Sequence, residues 1–411
     1  MKAPVNVEIA LTHIFTRKKQ MLIAALGVTI GIALYIFSNS LMKGFTKYSR
    51  NEMFKTMPHI KVFKEDEISK PLLASANSQS LTVIRNPRMT TLSKSLVNPY
   101  ALIKTIQQEK YVRNVTAQVN IDFFYSNGKT QLKGMGSGVN ILEADAMFSI
   151  QSTLLAGSLQ DLAHNQNAIV IGKGIAEKMN VGIDDNITVT SSRGVVKNMK
   201  IVGIFSTGNK STDEQKAYLH TTAAQQLAKE SANYATDIYV SVHNPDSSLV
   251  YAAKLQQIMP YKVEDWQTTN ADILATDKIR MIMNNVVALA MMMVAAFGIY
   301  NILNMTISQK LNDIAILKAV GFSGKDIIKI FVTEALIMGV VGTLIGLGIG
   351  AILIEILSRV YIGKPIGYFP IYYNLNTFLV GGSFGLLVSL GAGYLPARKA
   401  ASVDPVEIFR K

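Results

Sequence analysis

The chain has 411 residues, of which 49% are hydrophobic and 17% are charged, and its formal net charge at pH 7 is +13. It contains no cysteine, which excludes disulfides, thiol catalysis and cysteine-ligated metal sites. The basic residues form no stripe interleaved with aromatic residues, so nucleic acid is not an expected partner. The five histidines are scattered without the spacing of metal ligands, and we expect no metal site.

Charged side chains are missing from four long apolar segments: 21–42, 281–309, 335–354 and 365–397. About 20 apolar residues in a helix cross the hydrocarbon core of a bilayer, and a helix satisfies its own backbone hydrogen bonds there. We therefore predict an α-helical membrane protein with four transmembrane helices, at residues 20–42, 281–309, 330–356 and 371–396. A large α+β extracytoplasmic domain, residues 43–280, is expected between spans one and two.

Basic residues flank these spans on one side. The first flank, residues 1–19, is predicted to be an amphipathic helix, in which apolar residues at helical spacing precede a basic cluster: Val7, Ala10, Leu11 and Ile14 before Arg17, Lys18 and Lys19. The connection 310–329 and the tail 397–411 also have a basic excess. Short basic flanks stay in the cytoplasm. All three are therefore predicted to be cytoplasmic, with residues 43–280 and the short loop 357–370 outside.

The outer domain alternates between strand and helix patterns. Strands are predicted at 58–64, 112–125, 130–139, 168–171, 186–190, 199–205, 238–242 and 261–266. Helices are predicted at 100–108, 173–179, 222–229 and 247–258. Asn127-Gly128 is a strong hairpin signal between the second and third strands. We expect residues of about 145–230 to form an inserted subdomain, and polar stalk helices at both ends of the domain to continue the first two spans.

A Gly128-Lys129-Thr130 triplet is the nearest approach to a catalytic motif. A phosphate-binding loop requires a glycine five positions before Gly128, where Phe123 stands. The hairpin turn explains the triplet better. We therefore expect a non-catalytic subunit with no catalytic residue and no cofactor of its own.

The connection between spans two and three carries a short, mostly apolar helix. Helical spacing divides its side chains between two faces, with Leu311, Ile314, Ala315 and Lys318 on one and Ile316 and Val320 on the other. Gly321 is placed to end this helix, and Ser323 with Asp326 resembles a capping box for the next span. The helix could rest on lipid headgroups or dock in a groove of a soluble partner, and these residues leave both open.

Glycines recur at four-residue spacing within the spans, which lets helices approach closely. They are Gly27 and Gly31 in the first span, Gly342, Gly346 and Gly350 in the third, and Gly381 and Gly385 in the fourth. Packing within the chain is the favoured explanation, and contact with a second copy is the alternative. Glu334 is an intramembrane acidic residue, for which a coupling or dimer-contact role is one hypothesis.

Two motifs stand out near the C-terminal half of the chain, DIAILKAVG at 313–321 and PARKAASVDPVE at 396–407. They resemble motifs of the MacB/FtsX-like (type VII) ABC transporter permeases. The segments LMKGF at 41–45, PHI at 58–60 and VIGKGIA at 170–176 resemble the branch that contains the lipoprotein-releasing permeases LolC and LolE. The layout of four spans with a large insert after the first is also similar to this family.

The resemblance implies a bacterial inner-membrane permease that relays ATP hydrolysis to a MacB-like periplasmic core domain. Two copies of a cytosolic ABC ATPase, which hold the ATP and Mg, would contact the coupling helix at Leu311, Asp313, Ile314, Ile316, Leu317, Lys318, Val320 and Gly321. A second permease copy or a paralogue would complete the complex. Stalk helices would carry the movement outward without passage of cargo through the spans.

The resemblance leaves three functions open. The permease could release lipoproteins or other lipophilic cargo to a periplasmic carrier. It could instead extrude drugs or peptides with an adaptor and an outer-membrane channel, which is favoured by the short segment 190–199 where LolC has a long carrier-binding loop. It could also be an FtsX-like signal relay to a cell-wall hydrolase.

Overall fold

The computed structural model describes residues 8–10, 12, 16, 18–65, 94–363 and 366–409. Two compact units result, one of Met1–Ser49 with Ala275–Lys411 and the other of Arg50–Leu274. Most of the predicted amphipathic helix 1–19, with Val7, Leu11 and Ile14, lies outside the described residues, although Ala10 is described and buried. The last two residues of the predicted tail, 410 and 411, also lie outside them.

The helices of the described residues are α1 (Lys18–Phe54), α2 (Pro99–Gln107), α3 (Ile141–Phe148), α4 (Leu159–His164), α5 (Lys173–Met179), α6 (Lys210–Asp213), α7 (Thr221–Leu227), α8 (Ser248–Ile258), α9 (Trp266–Thr269), α10 (Ala271–Gln309), α11 (Leu311–Ala319), α12 (Gly324–Ser358), α13 (Leu375–Ala401) and α14 (Pro405–Phe409). Among them, α1, α10, α12 and α13 are long and apolar enough to cross a membrane. The fourth begins at Leu375, four residues later than the predicted span, because the Asn374 side chain accepts from the Asn376 N–H and caps the helix there.

The strands are β1 (Ile60–Phe63), β2 (Val112–Asn127), β3 (Thr130–Val139), β4 (Leu154–Gly157), β5 (Ala168–Gly172), β6 (Asn186–Ser191), β7 (Val196–Phe205), β8 (Lys216–His220), β9 (Asp237–Val242), β10 (Lys262–Asp265), β11 (Tyr361–Gly363) and β12 (Gly367–Tyr368). The last two form a small antiparallel pair in the connection between α12 and α13.

Ten strands of the unit Arg50–Leu274 form one sheet in the order β10-β1-β9-β2-β3-β8-β5-β7-β4, with β6 beside both β2 and β7. The 16-residue strand β2 holds the sheet together, because its first half pairs with β9 and its second half pairs with β3 and β6. Apolar side chains pack on this sheet in three clusters, around Phe123, Phe148 and Ile238.

The hairpin predicted at Asn127-Gly128 is confirmed, since Asn127 pairs with Thr130 and Gly128 has a φ of +58°. Several elements were not predicted, among them α3, β4, α4, α6 and β8. The strand β8 pairs parallel to β3, which lies about eighty residues earlier in the chain, and its five residues carry too short a pattern to indicate that partner. Residues 66–93, between β1 and α2, lie outside the described residues.

Glycine contacts hold α12 against α1. A Cβ added at Gly342 would lie 2.7 Å from the carbonyl oxygen of Ala25, and one added at Gly346 would lie 2.8 Å from that of Thr29. Gly350 continues this row, and a Cβ added there would lie 3.1 Å from the Ile36 side chain. The Thr29 hydroxyl donates to the Gly342 carbonyl at 3.1 Å. Backbone approaches this close are possible only where the side chain is a hydrogen atom.

We expect Gly346→Ala to destabilise the bundle by about 1–3 kcal/mol, because the added methyl group overpacks the contact with α1. Thermal unfolding of the purified chain in detergent measures this as a lowered midpoint. Gly348→Ala is the matched control, since a Cβ at Gly348 meets no atom within 4 Å. An equal loss in both variants would contradict the assignment of this contact.

Candidate functional site

The connection between α10 and α12 is a helix with well-defined ends. Gly321 has a φ of +108° and follows the end of α11. The Phe322 N–H donates to the Leu317 carbonyl at 3.1 Å, and the Gly321 N–H donates to the Lys318 carbonyl at 3.1 Å. These two bonds form a Schellman motif. The next helix begins with the predicted capping box, in which Ser323 and Asp326 exchange hydrogen bonds with each other's backbone N–H groups.

The two faces of α11 differ in burial. Ile314 is buried in an apolar cluster with residues of α10, α12 and α13, and Ala315 is also buried. Ile316 and Val320 face outward, with exposed fractions of 52% and 76%. Asp313 is also exposed. The helix therefore presents a small apolar surface with one carboxylate beside it, and its opposite side is part of the core.

Lys318 points toward the end of the fourth span. Its ammonium group donates to the carbonyl oxygens of Ala401 at 2.9 Å and of Val403 at 2.6 Å. These carbonyls lie at the C-terminus of α13, where a cation is favourable because the last carbonyls of a helix carry partial negative charge. The charge of Lys318, which the sequence suggested for the coupling site, is thus used within the chain.

The remaining predicted site residues are divided between the core and the helix contacts. Leu311 and Leu317 are half-buried, and Leu317 packs against the cluster beneath α11. A Cβ added at Gly27 would lie 3.8 Å from Ala295 of α10, and one added at Gly31 would lie 3.7 Å from it. Glu334 is buried on α12, with an exposed fraction of 5%.

A second group of residues lies where α1 ends and α9 begins, and the sequence did not indicate it. The Phe54 ring contacts two other rings edge-on. Its centroid lies 4.5 Å from the centroid of the His59 ring and 5.1 Å from that of the Trp266 ring. The backbone N–H of Trp266 donates to the His59 carbonyl at 3.0 Å. These contacts join the end of one long helix to the segment that leads into α10. The PHI motif and the single tryptophan were the available signals.

His59 is held neutral at this junction. Its Nδ1 accepts a hydrogen bond from the Val242 N–H at 3.0 Å, which requires that this nitrogen carry no proton. Burial lowers the pKa of His59 below its ordinary value, and the nearby Arg113 charge lowers it further. Protonation of His59 therefore opposes the contacts around Phe54 and Trp266.

Two family models match this chain. The MacB-like periplasmic core domain covers residues 21–258, which is more than half of the chain, and the FtsX-like permease C-terminal model covers residues 285–405. The chain belongs to the MacB/FtsX-like family of ABC transporter permeases. The prediction of four apolar helices with a MacB-like α+β domain after the first is thereby confirmed. The chain is an ABC permease subunit with a periplasmic domain.

Relatives that match nearly the whole of this chain carry different names. The lipoprotein-releasing system transmembrane protein LolC of Xylella fastidiosa is 22% identical, and the match covers 99% of both chains. An uncharacterized ABC transporter permease of Methanocaldococcus jannaschii is 24% identical over 100% of this chain and 98% of its own. The macrolide export ATP-binding/permease protein MacB of Psychrobacter cryohalolentis is 22% identical over 99% of this chain but only 59% of its own length.

We expect the folded chain to lose stability as the pH falls below about 6.5, the ordinary pKa of histidine. In that range an unfolded chain takes up a proton that the folded His59 does not, so protonation favours unfolding. His59→Asn keeps a hydrogen-bond acceptor and removes the titration. Thermal midpoints measured between pH 5 and pH 8 should therefore depend less on pH in this variant.

His164→Asn is the matched control, because His164 is a histidine near the surface whose Nδ1 lies 2.8 Å from the Gln160 carbonyl. The expectation fails if His59→Asn and wild type lose the same number of degrees between pH 7 and pH 5.

Proposed function

We propose that this permease transmits ATP hydrolysis by a separate cytosolic ATPase to its periplasmic domain, and that it releases lipoproteins or similar lipophilic cargo from the inner membrane. The exposed pair Ile316 and Val320 on α11 carries this proposal. Two large apolar side chains that project from a helix fixed on its other side suit insertion into a groove of a soluble protein. Asp313 beside them offers a carboxylate to a basic residue of the partner.

The orientation supports this use of α11. Basic residues are in excess in residues 1–19, in the connection that contains α11 and in the tail. The positive-inside rule assigns such short flanks to the cytoplasm, where ATP is available. In the proposed complex, two ATPase copies engage two permease chains, and the permease partner is a second copy or a paralogue.

Two uninterrupted helices support a mechanical relay. Helix α1 has 37 residues and α10 has 39. At 1.5 Å per residue each is about 55–60 Å long, whereas the hydrocarbon core is about 30 Å thick. Neither helix contains a proline, so no proline kink interrupts them. In this mechanism they act as stalks, and the contacts of Phe54 with His59 and Trp266 are where movement enters the periplasmic domain.

The nature of the cargo is supported by the LolC relatives, which match this chain from end to end. Macrolide-type efflux is the second candidate, because one observation favours it. The turn between β6 and β7 is only Ser192–Val195, closed by a bond from the Ser191 N–H to the Val195 carbonyl at 2.8 Å. A turn this short offers no long loop to a periplasmic carrier.

We expect Ile316→Asn and Val320→Asn to lower permease-stimulated ATP hydrolysis about tenfold or more in the reconstituted complex. Each substitution removes an apolar group from the centre of the proposed contact, where truncation of an anchor costs about 2 kcal/mol or more. Folding should be unaffected because both side chains are exposed. The measurement is ATPase activity with and without permease in lipid vesicles.

Leu142→Asn is the matched control, because Leu142 is 61% exposed on α3 of the periplasmic domain. Full stimulation in all three variants would refute the docking role of α11. Equal loss in the control would show a non-specific effect of polar substitution.

Depletion of the protein followed by membrane fractionation tests the cargo. Lipoprotein release requires that lipoproteins be stranded in the inner membrane after depletion, detected as a shift between density fractions. Normal lipoprotein sorting with increased sensitivity to drugs or peptides would overturn it and support efflux. Normal sorting with a defect in cell-wall cleavage would support the signal-relay alternative.

A further inference from the structure

A cavity of about 700 Å³ lies within the periplasmic domain and is not used by the proposed mechanism. Its base is one face of five neighbouring strands, β1, β9, β2, β3 and β8. The register places Phe63 beside Asp237, Asn120 beside Ser137, and Met135 beside Lys216. Paired residues of adjacent strands share a face of the sheet, so these side chains form one continuous surface.

The floor of the cavity is a buried polar network centred on Asn120. The Asn120 amide donates to the Asp237 carboxylate at 2.7 Å and to the Tyr239 hydroxyl at 3.0 Å. Its carbonyl oxygen accepts from the Ser137 hydroxyl at 2.9 Å. Ser137 and Asp237 are 8% and 5% exposed. On a sheet face that is simply exposed to solvent, polar side chains are hydrated. Here Ser137 and Asp237 are buried, and hydrogen bonds to Asn120 fix their positions.

The walls are strongly basic. Five of the described lining residues are cationic and two are acidic: Lys61, Lys64, Lys94, Arg193 and Lys216 against Asp122 and Asp237. The carboxylate of Asp237 is already engaged by Lys61 at 2.8 Å. The ammonium of Lys216 lies 4.9 Å from the centre of the Tyr218 ring. Arg193 lies 3.9 Å from the Glu230 carboxylate, and the lining keeps an excess of positive charge. An excess of this sign in a concave site concentrates anions.

Apolar groups complete the lining. Phe63 and Met135 contribute hydrocarbon surface, and Met135 is 47% exposed at the cavity. Small-molecule sites combine this kind of apolar surface with a few fixed polar groups, in volumes of about 300–1,000 Å³. The cavity meets all three conditions: volume, apolar walls and convergent polar groups, here with an excess of positive charge.

We propose that this cavity binds a small organic anion, namely a carboxylate or phosphate attached to an apolar group. The anionic group binds Lys216 and Arg193, and the apolar group contacts Phe63 and Met135. The proposal does not depend on the cargo of the permease or on the docking role of α11.

The test uses the full-length chain in lipid nanodiscs and isothermal titration calorimetry with 2-naphthyl phosphate. We expect one site per chain. Inorganic phosphate and 2-naphthol, which each lack half of the recognised chemistry, should bind at least about tenfold more weakly. Lys216→Gln and Arg193→Gln should each weaken 2-naphthyl phosphate about tenfold, as expected for loss of one charge-assisted hydrogen bond. Met135→Glu should weaken it further, because it adds a like charge at the site.

Lys129→Gln is the matched control, since Lys129 is an exposed residue at the hairpin tip of the same domain and does not line the cavity. Thermal midpoints verify that each variant is folded. The proposal is overturned if wild type binds no 2-naphthyl phosphate above empty nanodiscs, if 2-naphthol binds equally well, or if Lys129→Gln weakens binding as much as Lys216→Gln.

Discussion

The close contact between α12 and α1 is the interaction on which the helix bundle depends. Lipid tails are as apolar as the side chains, so helices gain little from burying apolar area against each other and rely on packing and interhelical hydrogen bonds. The row Gly342, Gly346 and Gly350 supplies the packing, and the bond from Thr29 to the Gly342 carbonyl supplies the polar term. A first span held in this way over several turns has little freedom to shift alone.

The same helix is held again near the end of the bundle. The segment before α13 crosses α1 at Gly44, where an added Cβ would clash with the Pro370 carbonyl oxygen. The Tyr372 N–H donates to the Ser40 carbonyl at 3.1 Å, and the Lys43 ammonium donates to the Thr377 hydroxyl at 3.0 Å. These contacts give a physical reason for the glycine in the LMKGF segment: only glycine permits another backbone at that distance.

Features set by local chemistry could be predicted from the sequence. The spans follow from uninterrupted hydropathy, the β2–β3 hairpin from Asn127-Gly128, and the turn after α11 from Gly321 and the Ser323–Asp326 pair. Features that depend on distant partners could not. Nothing near Lys318 indicates that its ammonium meets carbonyls about eighty residues later, and the cavity exists only because five strands from separate parts of the chain align one face.

The position of Lys318 changes how α11, the proposed coupling helix, should be understood. A helix that lay loosely on lipid headgroups could move without consequence for the spans. Here the inner side of α11 is buried with Ile314 in a cluster that includes α12 and α13, and Lys318 adds charged hydrogen bonds to the end of α13. A force applied to Ile316 or Val320 must therefore displace two span helices or break those bonds. Because α12 is itself packed tightly on α1, the displacement would reach the helix that continues toward the periplasmic domain, which is the property that a relay requires.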